Sequence, residues 1–178
     1  MKNNKTIKSD IAQIREVKLS ENFFNNILNF IGDPVFVKDA DSKFIFVNNS
    51  LCDMLGMKKE DILGKTLGES LPKAEMDLFL KNDRMVISSG KDNISEEPLT
   101  GKGGKVFNII TKKTRYLDEK GNKFLIGVIH DITYRKNMEL ELQDKISELE
   151  RTNKLMVGRE LKMLELKKEI NELKKLNK

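Results

Sequence analysis

Gly127-Val128-Ile129-His130-Asp131-Ile132-Thr133-Tyr134-Arg135-Lys136 passes from an apolar, β-branched strand through an Asp-Ile-Thr corner into a heptad-patterned helix that is expected to continue to Lys178. A folded body therefore ends by feeding a long helix. Working back from the corner, three strands are expected around Ile94 to Leu99, Val106 to Leu117 and Lys123 to Ile132. Turn chemistry joins them, at Gly101-Lys102-Gly103-Gly104 and at Asp118-Glu119-Lys120-Gly121. Further back, Val35-Phe36-Val37 and Phe44-Ile45-Phe46-Val47 flank Asp39-Ala40-Asp41-Ser42 as a hairpin. Between the two groups of strands, Asn49 to Leu55, Glu60 to Ile62 and Glu75 to Ser88 read as helices, the last closed by Gly90. Two strands, helices and three strands make an α+β fold with a five-stranded antiparallel sheet.

The first two strands are apolar on both faces, so both need cover. One face is expected against the domain's helices, the other against a helix carrying Phe23, Phe24, Ile27, Leu28 and Ile31, or against a partner subunit. That helix is expected to start at Ser20 as N-cap and to stop at Gly32-Asp33-Pro34. Before it, Ile7, Ile11, Ile14 and Val17 at helical spacings describe a Lys- and Asn-rich amphipathic lead-in over residues 1–20.

With 178 residues, 34% charged and 38% hydrophobic, the chain is too polar for one compact body, and the polar excess belongs to the long helix. The formal charge of +5 comes from Lys and Arg interleaved with Glu and Asp, which describes a solvated surface and argues against nucleic-acid binding. Cys52 stands alone, so no internal disulfide can form, and no apolar run reaches the roughly 18 residues of a membrane span. A cytoplasmic protein, without membrane contact, is the expectation.

Leu142, Ile146, Leu149, Asn153 and Met156 follow spacings of four, three, four and three, the d-a-d-a-d seam of a coiled coil. Continued unchanged, that phase would put Glu160 and Lys167 at core positions. A shifted phase instead makes Met163, Leu166, Ile170 and Leu173 a second seam, and the break contains Gly158. A helix of some 65 Å, at about 1.5 Å per residue, needs a second copy to stay ordered in water. Asn153 at an a position favours a parallel, in-register homodimer. Arg135 and Glu139 can pair at i,i+4, for about 0.3 kcal/mol.

Catalytic groups are sparse. His130 is the single histidine and sits on a strand, so neither a His-based metal cluster nor a phosphate-acceptor helix is expected. Gly101 to Lys105 lacks the spacing of a phosphate loop and precedes a strand, which makes it a hairpin turn. Glu96 and Glu97, adjacent on a strand, point to opposite faces and read as solvated edge charges.

Several segments resemble one family in order and spacing: Asp33 to Asp39, Phe46 to Gly56, Glu60 to Lys65, and the Asp131-Ile132-Thr133 corner are similar to the successive pieces of a PAS domain, from about Asn22 to Lys136. The stretch from Leu149 to Ile170 resembles linkers that follow PAS domains in microbial sensor histidine kinases. The resemblance implies a PAS sensor domain over residues 21–136 and a dimeric coiled-coil signalling helix over residues 137–178. It implies an interior that can hold a small ligand, for which Val35, Val37, Leu51, Leu55, Ile62, Met85, Ile109, Leu125, Gly127 and Ile129 are candidate lining, chosen among apolar positions by parity. In such proteins the Asp and Thr matched by Asp131 and Thr133 couple core to output helix, and Thr133 also suits an N-cap. Covalent flavin chemistry is not supported, since Cys52 stands in Ser50-Leu51-Cys52-Asp53 and not in Asn-Cys-Arg. Haem is not supported either, since the long core helix offers Met76 and Met85 but no His. The expected function is a non-enzymatic sensor module that dimerises and relays a change to its helix; the alternative is the sensory fragment of a histidine kinase.

Overall fold

Acid-led turns set the strand boundaries. Asp39 Oδ1 accepts hydrogen bonds from the backbone N–H groups of Asp41 and Lys43, and Asp118 Oδ1 does the same for Lys120 and Asn122. Each carboxylate satisfies turn donors that have no ladder partner. The first turn joins β1 (Val35–Lys38) to β2 (Phe44–Val47), and the second joins β4 (Val106–Leu117) to β5 (Lys123–Asp131). With β3 (Asn93–Thr100) they form one antiparallel sheet in the order β2-β1-β5-β4-β3. The computed structural model describes residue 19, residues 22–67 and residues 70–176. The expected lead-in helix, apart from Leu19, and the expected cap at Ser20 lie outside the described residues.

Five helices accompany the sheet among the described residues: α1 over 22–30, α2 (Asn49–Leu55), α3 (Lys59–Ile62), α4 (Lys73–Ser89) and α5 (Thr133–Leu176). The Gly101 to Lys105 segment is the turn between β3 and β4, closed by the Gly101 N–H donating to Lys105 O at 2.8 Å. A compact unit runs to Thr133, and residues 134–178 form a second one. In the first unit, α4 is fastened to the sheet near both ends. Glu75 accepts from the N–H and hydroxyl of Thr100 on β3 at 2.8 and 2.6 Å. Arg115 on β4 donates to the carbonyls of Ile87 and Ser88 at 3.1 and 3.3 Å, where the helix leaves its last C=O groups unpaired.

Asn48 joins three segments. Its Oδ1 accepts from the N–H groups of Val35 and Leu51, capping α2, while its Nδ2 donates to the carbonyls of Leu28 in the last turn of α1 and of Ile31 and Asp33 just beyond it. The expected cover of the outer sheet face by the Phe23/Phe24 helix is not found. Phe23, Phe24, Ile27 and Phe30 are exposed, as are Ile45, Ile126 and Val128 on the strands, while the end of α1 and the residues beyond it are held by Asn48.

Candidate functional site

Alternation along the strands brings four polar side chains to the inner face of the sheet. On β1, Phe36 and Lys38 point inward; on β3, Glu97 and Leu99; on β4, Ile109, Thr111 and Lys113. Lys38 pairs across the ladder with Leu125, and Lys113 with Gly127, so the two lysines rise on either side of β5. Above them α4 presents Asp83, fully buried. Its Oδ2 accepts from Lys38 Nζ at 2.7 Å and its Oδ1 from Lys113 Nζ at 2.6 Å, and Lys113 also donates to Phe79 O at 3.3 Å. Lys38 and Lys113 are 4% and 2% exposed. Aromatic faces assist: Lys38 Nζ lies 4.4 Å from the Phe44 ring centre and Lys113 Nζ 5.5 Å from that of Phe79.

Beside this ion triad is a cavity with about 50 Å³ of space accessible to the centre of a water molecule. Its walls are mostly apolar, including Phe36, Phe44, Leu67, Leu71, Phe79 and Leu99, with Lys38, Lys113, Glu97 and Thr111 on one side. Glu97 is 4% exposed; Asn82 Nδ2 on α4 donates to its Oε2 at 3.4 Å. Glu97 Oε1 and Thr111 Oγ1 are both buried on this wall, the Thr111 hydroxyl standing beside the carboxylate as its neighbouring donor. Burial pushes the Glu97 carboxyl above its ordinary value of 4.5, opposed by the Lys113 charge and by the nearby hydroxyls of Thr111 and Ser95. Burial likewise holds Lys38 below its ordinary value, against the pull of Asp83.

The shift on Glu97 carries a sign. A carboxyl that holds its proton more tightly when folded adds stability as pH falls from neutral through its raised folded pKa, and the gain is complete below about the unfolded value. Glu97→Gln is therefore expected to be more stable than the parent at neutral pH, and the gap should close as pH falls to about 4. Thermal melts across that range check it; a pH-independent gap contradicts it.

The expected lining residues fall into three groups. Leu51, Leu55, Ile109 and Ile129 line the cavity; Ile62 and Leu125 are buried in the core outside it, and Val35 is buried at the start of β1 on the same face as Val37. Val37 lies on the other face of β1, Gly127 lies beneath the Phe36 ring, and Met85 is 47% exposed. Met85 is corrected to a solvent position because α4 turns Met76, Asp83, Val86 and Ile87 inward. A Cβ at residue 127 would collide with the Phe36 ring, so that ring fills the room the glycine leaves. Glu97 is corrected too, from an edge charge to a buried one, since β3 turns the same face inward as Leu99. Apolar parity passed over Lys38, Glu97, Thr111 and Lys113; their in-phase spacing with Phe36, Leu99 and Ile109 was the available signal.

At the strand-to-helix corner, Asp131 Oδ1 accepts from Thr133 N at 2.8 Å, and Thr133 Oγ1 accepts from Asn108 N on β4 at 2.9 Å. Asp131 thus supplies the cap expected of Thr133, and Thr133 reaches the sheet instead. Between them Ile132 is buried, its N–H donating to Asn108 O at 2.9 Å. His130 is exposed, with Nδ1 at 3.2 Å from Asp33. Cys52 is half-buried, and desolvation raises its thiol above the ordinary value, away from a reactive thiolate. Among the described residues no cluster of His, Cys, Asp or Glu could hold a metal, and no helix is long and apolar enough to cross a membrane.

Comparisons with known proteins agree with this architecture. The chain is 33% identical over 126 residues to the uncharacterized protein y4lL of Sinorhizobium fredii, covering 69% of this chain and 15% of that one. It is 32% identical over 149 residues to the methyl sulfide methyltransferase-associated sensor of Methanosarcina acetivorans, covering 82% of this chain and 15% of the relative. The chain therefore spans about 15% of the length of these curated relatives. Among solved structures, the PAS domain of Bordetella pertussis BvgS shares the fold at 21% identity and a TM-score of 0.56, over 72% of this chain and 98% of that one. The Vibrio cholerae VqmA dimer matches at 26% identity and a TM-score of 0.55, over 61% of this chain and 51% of that one. The family model described as the PAS fold matches residues 28–137, more than half of the sequence, and the chain belongs to the PAS family.

Proposed function

We propose that this chain is a non-enzymatic sensor module that works as a parallel homodimer, in which occupancy of the buried cavity alters how two copies of α5 pair. The observation that carries the reading is the corner: Asp131 caps the first turn of α5 while Thr133 holds β4. A displacement of β4 or β5, which form one wall of the cavity, has a direct hydrogen-bonded route to the start of α5.

The paired state is supported by α5 itself. Leu142, Ile146, Leu149, Met156, Met163, Leu166, Ile170 and Leu173 are 45–64% exposed in the single chain, an apolar stripe too long to leave in water. Leu142, Leu149, Met156, Met163 and Ile170 form an unbroken heptad column. Its flank changes from Ile146 and Asn153 on one side to Leu166 and Leu173 on the other. At about 100° per residue, the two seams differ by a helix rotation of roughly 50°. A small rotation would therefore favour one half of the pairing over the other.

Asp131→Ala tests the coupling. Losing the cap is expected to cost about 1 kcal/mol and to leave the head folded. Crosslinking yields between copies at Leu149→Cys and Leu166→Cys, in a Cys52→Ser background, should respond to cavity variants in the parent and stop responding in Asp131→Ala. An unchanged response removes the corner from the relay.

A second reading is favoured by the size of the relatives: the chain is the sensory part of a longer signalling protein such as a sensor histidine kinase, since it matches about 15% of proteins that include a named sensor. A small-molecule ligand and a kinase or other signalling protein are the partners this reading entails. Its test is transplantation ahead of a kinase core, with autophosphorylation following the state of the head.

A further inference from the structure

We infer that the cavity takes a small apolar molecule, admitted past the side chain of Leu67. This rests on the sensor reading and specifies the class of its ligand and the way in.

The four polar side chains on the cavity wall, Lys38, Glu97, Thr111 and Lys113, already have partners. Lys38 Nζ has Asp83 Oδ2 at 2.7 Å, the Phe44 ring centre at 4.4 Å and the Phe36 ring centre at 5.3 Å, one for each of its protons. Lys113 Nζ has Asp83 Oδ1 at 2.6 Å, Phe79 O at 3.3 Å and the Phe79 ring centre at 5.5 Å. Asn82 donates to Glu97 at 3.4 Å, and the Thr111 hydroxyl stands beside the same carboxylate. A polar guest would give up its bonds to water and find no free partner here, whereas an apolar guest gives up none. Phe36, Phe44, Leu51, Leu55, Leu99 and Ile129 supply its contact surface, and cavities walled in this way take apolar guests.

Size and access complete the description. About 50 Å³ corresponds to roughly four water-sized positions, so the guest has on the order of four to five non-hydrogen atoms. The way in is one side chain thick. Leu67 is 5% exposed, and it lines both the cavity and an open cleft bounded by Lys43, Met57, Asp61, Lys65 and Ser70. Its φ of 64° lies in the left-handed region, where a leucine is strained unless its surroundings hold it. The chain just before it is anchored to β2: Gly64 N donates to Phe44 O at 2.8 Å, and Phe44 N donates to Lys65 O at 3.0 Å. Packing of the Leu67 side chain against the cavity holds the strained conformation, and relaxing that φ swings the side chain out of the wall.

The test uses three probes that share one Y-shaped skeleton and differ in polarity: 2-methylpropene, acetone and acetate. Binding to the full chain is followed by backbone amide shifts of residues 99, 109 and 129. The expected result is saturable millimolar binding of 2-methylpropene, with acetone and acetate at least about tenfold weaker, a gap that corresponds to roughly 1.4 kcal/mol. Leu99→Phe, which extends a ring into the space, should abolish that binding while the far-UV spectrum stays unchanged; Leu71→Phe takes its place if Leu99→Phe does not fold. Leu67→Gly, which suits the left-handed backbone and clears the wall, should speed exchange of bound 2-methylpropene by about tenfold or more. Acetone or acetate binding as tightly as 2-methylpropene overturns the apolar class. Failure of all three to bind, or undiminished binding by the folded phenylalanine variant, overturns the site, and unchanged exchange in Leu67→Gly overturns the entry. The sensor reading stands or falls separately, on the Asp131→Ala relay.

Discussion

Asp83→Asn is expected to destabilise the head by about 3 to 5 kcal/mol, the range seen when one partner of a buried ion pair is removed. Asp83 neutralises two lysines, Lys38 and Lys113, that come from different strands and are almost wholly buried. An asparagine retains an oxygen for one of them but supplies no charge, leaving two buried ammonium groups beside Glu97 alone. Lys113→Met should cost less, since Lys38 and Asp83 would remain a matched pair and the methionine can fill the vacated apolar space. Replacing all three together, as Lys38→Met, Asp83→Leu and Lys113→Met, should recover most of the loss. Urea titration of the four proteins reads these differences. A loss below about 1 kcal/mol for Asp83→Asn would mean that the lysines find water or other partners and that the triad does not hold α4 to the sheet.

Asn48→Ala is expected to cost about 3 kcal/mol through a different mechanism. The side chain is fully buried and serves both as α2 cap and as acceptor for Val35 N, and it gives its amide protons to carbonyls following α1. Truncation removes a cap worth about 1 kcal/mol and strands a buried strand-end N–H, which adds about 1 to 3 kcal/mol. Asn48→Asp separates the roles, because it keeps both acceptor bonds but faces three carbonyls with a negative oxygen. It should also be destabilised, and more at neutral than at acidic pH. Equal stability of Asn48→Asp and the parent at neutral pH would show that the amide donors to Leu28, Ile31 and Asp33 contribute nothing.

Local chemistry made the fold readable. Asp39 and Asp118 announce their turns because an Asx oxygen two residues before a free N–H acts over a short stretch of chain, and Gly90 ends α4 because its left-handed φ of 72° suits a residue without Cβ. The cavity was only half readable. Leu51, Leu55, Ile109 and Ile129 follow from apolar periodicity, but Lys38 and Asp83 lie 45 residues apart, and their pairing depends on the sheet order that sets β1 beside β5. A lone lysine in an apolar strand looks like a strand end until its counter-ion is located. Of the two covers expected for the outer face of the sheet, the Phe23/Phe24 helix is the one the structure does not bear out: residues at the end of α1 and just beyond it are bonded to Asn48, whose own role is invisible without the fold.

Sedimentation equilibrium of the full chain at micromolar loading tests the pairing of α5 on which the sensor reading depends. Two copies associated through the column from Leu142 to Ile170 predict a mass twice the 20.5 kDa of one chain, and Met156→Glu should return it to a single chain. A parent protein that sediments as one chain throughout the micromolar range, with the helix content of α5 intact, would contradict the account.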